Sequence, residues 1–170
     1  CDGVLSGPIS APPFDGPGKE DITDLVGWML DPAIGAPIIQ RLRLMAVVEQ
    51  GSTLSWALYS ATSSSGSYSQ VAMVTSTAPE QPTADGWIDS PELNWGLGSS
   101  GWYALAVSIV GPFELARSHP TPALDTELGT FAHGFSKNLG SAPASTHVSA
   151  SALEPMMTAL VPWIAFDEDT

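Results

Sequence analysis

The chain has 170 residues, 44% of them hydrophobic and 14% charged, with a formal net charge of −13. That length suits one domain with a real core, and the charged fraction is well below the roughly 25% of an average soluble domain, so Ser, Thr, Gly and Pro must cover much of the surface. The acidic balance argues against nucleic acid and anionic lipid surfaces, which need clustered cations; no apolar run approaches the roughly 20 residues of a membrane-spanning helix.

The single cysteine, Cys1, excludes an intrachain disulfide and any paired-cysteine metal or redox motif. A chain that begins with Cys and continues through Gly3, Gly7, Pro8, Pro12, Pro13, Gly16, Pro17 and Gly18 resembles a mature bacterial lipoprotein, with its lipid on Cys1. The resemblance implies an extracellular or outer-membrane location, anchored through that lipid. Residues 1–20 are expected to form a tether or arm, because Gly and Pro oppose helix and central strand alike. Its apolar residues are too sparse to bury themselves, so the arm is expected to dock on a second subunit. The carboxylates of Asp15, Glu20, Asp21 and Asp24 are those a loop-bound Ca²⁺ would use, without the spacing of a helix-flanked calcium loop; a solvated acidic loop is the plainer reading.

An apolar run at residues 25–30 is broken by Asp31 and Pro32. Residues 38–48 alternate with period two, so they read as a strand: Ile38, Leu42, Leu44, Ala46 and Val48 share one face, with Gln40 as the exception. Arg41 and Arg43 take the other face, the nearest approach to a basic cluster, and read as a solvent-facing strand edge. Gly51 and Ser52 turn the chain into a second strand at 53–60, with Leu54, Trp56 and Leu58 in phase. A Ser/Gly hairpin at 63–67 leads to a third strand at 68–76. After a loop at 79–86, residues 87–97 read as a strand that Pro91 places at an edge or interrupts. The turn at 98–101 precedes the strongest strand, 102–110. There Tyr103, Leu105, Val107 and Ile109 form one apolar face, and Trp102, Ala104, Ala106 and Val110 the other, which predicts a central strand. Residues 117–128 read as loop, 131–136 and 156–166 as strands, and 141–152 as a Ser/Ala/Pro-rich connection. The final Asp167, Glu168 and Asp169 read as a solvated acidic tail.

Many short strands between Gly, Pro and Ser turns, with no sustained helical period, predict an all-β, two-sheet antiparallel sandwich of jelly-roll type. The expected division is a tether (1–20), a β-sandwich domain (21–166) and an acidic tail (167–170). Leu44, Trp56, Leu58, Leu105 and Val107 are the expected core. The run from Leu58 to Thr62, the hairpin, Tyr68 to Val74, Gly86-Trp87, Leu97, Gly101 to Val107 and Phe131 to Phe135 together resemble β-sandwich accessory domains of large secreted and surface proteins of environmental bacteria. That resemblance spans about residues 40–165 and implies a binding or structural module without an active site.

Three functions compete. The leading one is a non-catalytic structural or adhesive subunit of a cell-surface assembly, associating with itself or with other surface proteins. The second is a carbohydrate-binding module, in which Trp87 and Trp95, beside Gly and Pro, offer rings for sugar stacking, while Trp56 and Trp102 fall in phase with core faces. The third is an N-terminal nucleophile hydrolase in which Cys1 attacks and its own amino group is the base. It suits a chain with helices layered on its sheets, which this one lacks. His119, His133 and His147 are far apart and lack metal-ligand spacing, and no phosphate loop or hydrolase elbow occurs, so no cofactor is expected beyond Ca²⁺ at the acidic loop.

Overall fold

The computed structural model describes residues 2–4, 24–32, 37–78, 87–98, 100–111, 113–115, 117–118, 124–126, 129–138, 147–149, 161–162 and 164–169. Every regular element among them is a strand: β1 (Asp2–Val4), β2 (Asp24–Pro32), β3 (Ile38–Val48), β4 (Thr53–Ala61), β5 (Ser67–Thr77), β6 (Trp87–Asp89), β7 (Trp95–Gly96), β8 (Trp102–Val110), β9 (Phe113–Leu115), β10 (Arg117–Ser118), β11 (Leu124–Thr126), β12 (Gly129–Asn138), β13 (His147–Ser149), β14 (Val161–Pro162) and β15 (Ile164–Asp169). One sheet runs β11-β12-β2-β8-β4-β5-β13; the other runs β1-β15-β3-β6, with β7 and β9 also pairing β3. β10 and β14 form a separate ladder, and all these pairings are antiparallel. The chain changes sheet repeatedly, from β2 to β3, β3 to β4, β5 to β6 and β7 to β8, as a jelly-roll-like sandwich does.

The core lies where the two sheets face each other. Ile39, Leu42, Leu44 and Ala46 come from β3; Leu54, Trp56, Leu58, Leu105, Val107 and Ile109 come from β4 and β8. All five residues expected in the core are at most 2% exposed. Trp56 satisfies its one polar atom by donating from Nε1 to Ser76 Oγ at 2.9 Å, so its large ring is buried without an orphan donor. β8 is the middle strand of seven, as its two apolar faces predict. Its second face is built small: Ala104, Ala106 and Ser108 stand opposite Tyr59, Ala57 and Ser55 of β4, and all six are nearly inaccessible.

Two one-residue irregularities change which side chains face inward. On β3, Arg41 pairs with Asp167 and Ile39 with Glu168, which leaves Gln40 as an extra residue. A bulge of this kind inverts the alternation. Ile39 is therefore fully buried, and Ile38, expected in the core row, is 36% exposed. On β5, Ala72 pairs with Leu58 and Gln70 with Tyr59, so Val71 is the extra residue.

Several boundaries differ from the sequence reading. Residues 167–169 are not a free tail: they extend β15 alongside β3, where Asp167 stands opposite Arg41. Residues 2–4, assigned to the tether, pair with β15 of their own chain, so this part of the arm is a strand of the domain's own sheet. The run at 25–30 is the interior of β2, which continues through Asp31 and Pro32, and short strands occupy 117–118, 124–126 and 147–149, where loop was expected. Between β6 and β7 the ladder is broken at Pro91, which has no N–H to donate. Ser90 substitutes for regular pairing: its N–H donates to the Leu42 carbonyl at 2.8 Å and its Oγ accepts from Leu42 N–H at 3.0 Å.

Candidate functional site

The inner-facing rows that build the core end in hydroxyls. Along β4 the row reads Leu54, Trp56, Leu58, Ser60. On β8 it reads Ile109, Val107, Leu105, Tyr103. On β5 it passes from Val74 and Ala72 to Ser69 and Ser67 beyond the bulge. Ser60 pairs with both Tyr103 and Ser69, so the three strands bring these ends together at one end of the sandwich. There they line an open cleft of about 520 Å³ with Ala61, Thr62, Ser100 and Gly101. Six of these eight described lining residues carry a hydroxyl and none of the eight carries a charge.

Two contacts shape this end. The Tyr103 hydroxyl accepts a hydrogen bond from Gly98 N–H at 2.9 Å, tying the turn before β8 to the cleft wall. Gly101 has φ +95°, and a Cβ there would meet the Ala61 carbonyl oxygen at 2.8 Å, so this close approach of turn to strand requires glycine. β13 adds His147 opposite Ser69 and Ser149 opposite Ser67; both are exposed. The described lining can therefore both donate and accept hydrogen bonds.

The structure separates Trp87 and Trp95. Trp95 pairs with the buried Ile39 and packs partly against the core; Trp87 pairs with Met45, on the opposite face of β3, and packs against it there. Both rings are half-buried, and they do not share a face. Arg41 and Arg43 take the outward face of β3, as expected, and Trp87 shares that face, but β3 is no edge: it lies between β15 and β6. Asp89 meets both cations, with Arg43 Nε at 3.2 Å and Arg41 Nη1 at 3.8 Å, all three side chains being about a third or more exposed. Such pairs contribute little to stability.

Cys1, Asp15, Glu20, Asp21 and His119 lie outside the described residues, as do the side chains of Asp24 and His133. Among the described residues no three His, Cys, Asp or Glu side chains gather as metal ligands would, and no helix is long and apolar enough to cross a membrane. Two tyrosines are strongly perturbed. Burial pushes Tyr59 up to about 12, with a hydrogen bond from the Gln70 side chain pulling the other way. Burial alone pushes Tyr68 up to about 12, and its hydroxyl donates to the Ser64 carbonyl at 3.2 Å. Neither is among the residues that line the cleft.

Sequence reasoning missed the cleft because Ser67 and Ser100 read as turn residues, and Ser60 and Ser69 as ordinary strand ends. The available signal was that Ser60 and Tyr103 continue, in phase, the rows of Leu58 and Leu105. No protein-family model, curated protein or solved structure matches the chain.

Proposed function

We propose that the chain is a non-catalytic structural module of an extracellular, cell-surface assembly, and that copies join through the edge of β5. The observation that carries this reading is the character of that edge. Among the described residues, β13 is the one strand on the far side of β5, and it pairs only Ser67 to Ser69. From Gln70 to Thr77 no residue is buried, and Val71 and Met73 are 54% and 41% exposed.

Edge strands are ordinarily protected by Lys, Pro or inward charges. β5 has none: no charged residue occurs between Glu49 and Glu80, and no proline between Pro37 and Pro79. With a net charge of −13, two copies repel across most of their surfaces. The β5 edge lets them meet without setting carboxylate against carboxylate. Antiparallel pairing of Ala72–Thr77 with its two-fold mate would join two sheets into one, and the bulge at Val71 would limit the ladder's length. The lipid attachment expected at Cys1 belongs to the same reading.

The size of the full chain in solution, measured by sedimentation over a concentration series, tests it. A concentration-dependent dimer or larger assembly is expected, and Met73→Lys is expected to return it to monomer. A chain that is monomeric at all concentrations, or an assembly unaffected by Met73→Lys, contradicts the reading.

A further inference from the structure

We infer that the hydroxyl-lined cleft at the end of the sandwich is a binding site for a neutral saccharide, independent of the β5 edge and distinct from Trp87 and Trp95. Its volume of about 520 Å³ is that of a small-molecule site. Its chemistry selects the ligand. Ser60, Thr62, Ser67, Ser69, Ser100 and Tyr103 each offer one donor and acceptor lone pairs on a single rotatable or phenolic oxygen. A phosphate or carboxylate presents acceptors alone and wants Arg, Lys or a helix N-terminus, none of which occurs among the described lining residues, and the net charge of −13 opposes it further. A cationic ligand would want carboxylates, which the described lining also lacks. An apolar ligand would leave the hydroxyls desolvated and unpaired, at a cost for each.

A polyol matches such a wall, because each of its hydroxyls both gives and takes a hydrogen bond. Apart from Tyr103 itself, the one ionisable side chain among the described ladder partners of the lining residues is His147, opposite Ser69, whose ring nitrogens add further hydrogen-bonding positions. The geometry is also fixed in advance. Tyr103 is held by Gly98 N–H, Gly101 keeps the turn close to Ala61, and Ser60 and Ser69 stand on paired strands rather than on a loop. A site with its donors already positioned loses less on binding.

Titration calorimetry and saturation-transfer NMR on the full chain provide the test. The probes are neutral hexasaccharides of glucose, mannose, xylose and N-acetylglucosamine, with an oligogalacturonate as the charged control. At least one neutral probe is expected to bind, and the Ser60→Val/Ser69→Val variant, which puts β-branched strand formers in place of the two serines, is expected to lose about tenfold or more of that affinity with its fold intact. Should that variant fail to fold, Ser100→Trp blocks the cleft from the turn and is expected to abolish binding. Repeating the titration with Met73→Lys separates the two proposals: saccharide binding is expected to survive loss of assembly. Silence across the neutral panel, unchanged affinity in a folded cleft variant, or preference for the charged probe overturns the inference.

Discussion

β8 and β5 belong to the same sheet, have similar lengths and carry similarly strand-prone sequences, yet they have opposite relations to water. β8 is buried from Ala104 through Ile109, on both faces; β5 from Gln70 to Thr77 is half-buried at best. Composition and position go together here: β8 carries Ser108 among apolar and aromatic residues, whereas β5 carries Ser67, Ser69, Gln70, Thr75, Ser76 and Thr77. β8 also has a partner along its length on each side, and β5 has β4 on one side and, among the described residues, three residues of β13 on the other. Burial in this domain follows from the number of neighbours a strand has, and the strand with the fewest is the one left able to accept another.

The sharpest way to break that comparison is to truncate equivalent side chains on the two strands. Leu105→Ala removes a fully buried side chain from the core and is expected to cost roughly 2–5 kcal/mol in chemical denaturation, whereas Met73→Ala should stay within about 0.5 kcal/mol. Equal costs would erase the distinction between centre and edge. Next in size is Gly111→Ala, at the exit from β8. The residue sits at φ +121° and a Cβ there would run into the Ser52 side chain, so a loss of about 1–3 kcal/mol is expected in the same assay.

Alkaline pH acts on two side chains at once. Tyr59 and Tyr68 hold their protons to about 12 in the folded chain, against 10.0 ordinarily. The folded state thus binds more protons than the unfolded state between those values. Stability attributable to these tyrosines is complete below pH 10 and is lost as pH rises toward 12, by on the order of 2 kcal/mol for each. Tyrosinate absorbance followed alongside unfolding checks this: both rings are expected to ionise together with unfolding, not before it. The smallest effect on stability is that of Met73→Lys, expected within about 0.5 kcal/mol of the parent because the side chain is already solvated.

Much of this contrast is legible in the sequence. Two apolar rows on residues 102–110 mark a central strand, and Trp56 and Leu58 fall in phase with the core. The phase of β3 is not legible, because the extra residue at Gln40 appears only in the pairing with Glu168 and Asp167, far along the chain. The same pairing explains why three terminal acidic residues form a strand: Arg41 and Arg43 stand on the neighbouring strand, and local composition cannot reveal them. Trp87 and Trp95 look like one aromatic pair in the sequence. The irregular stretch around Ser90 and Pro91 places them on opposite sides of the sheet. The cleft was hidden for a related reason: Ser60 and Ser69 face each other across a legible hairpin, but Tyr103 is distant in sequence and joins them only through the order β8-β4-β5.

The edge account is tested most directly by amide hydrogen exchange along β5, read residue by residue at low and high protein concentration. The amides of Ala72–Thr77 that do not bond to β4 are expected to exchange rapidly in dilute solution and to become protected as concentration rises, while β8 amides stay protected throughout. Protection of those β5 amides that is the same at every concentration, or that is absent in an assembly already formed, would contradict it.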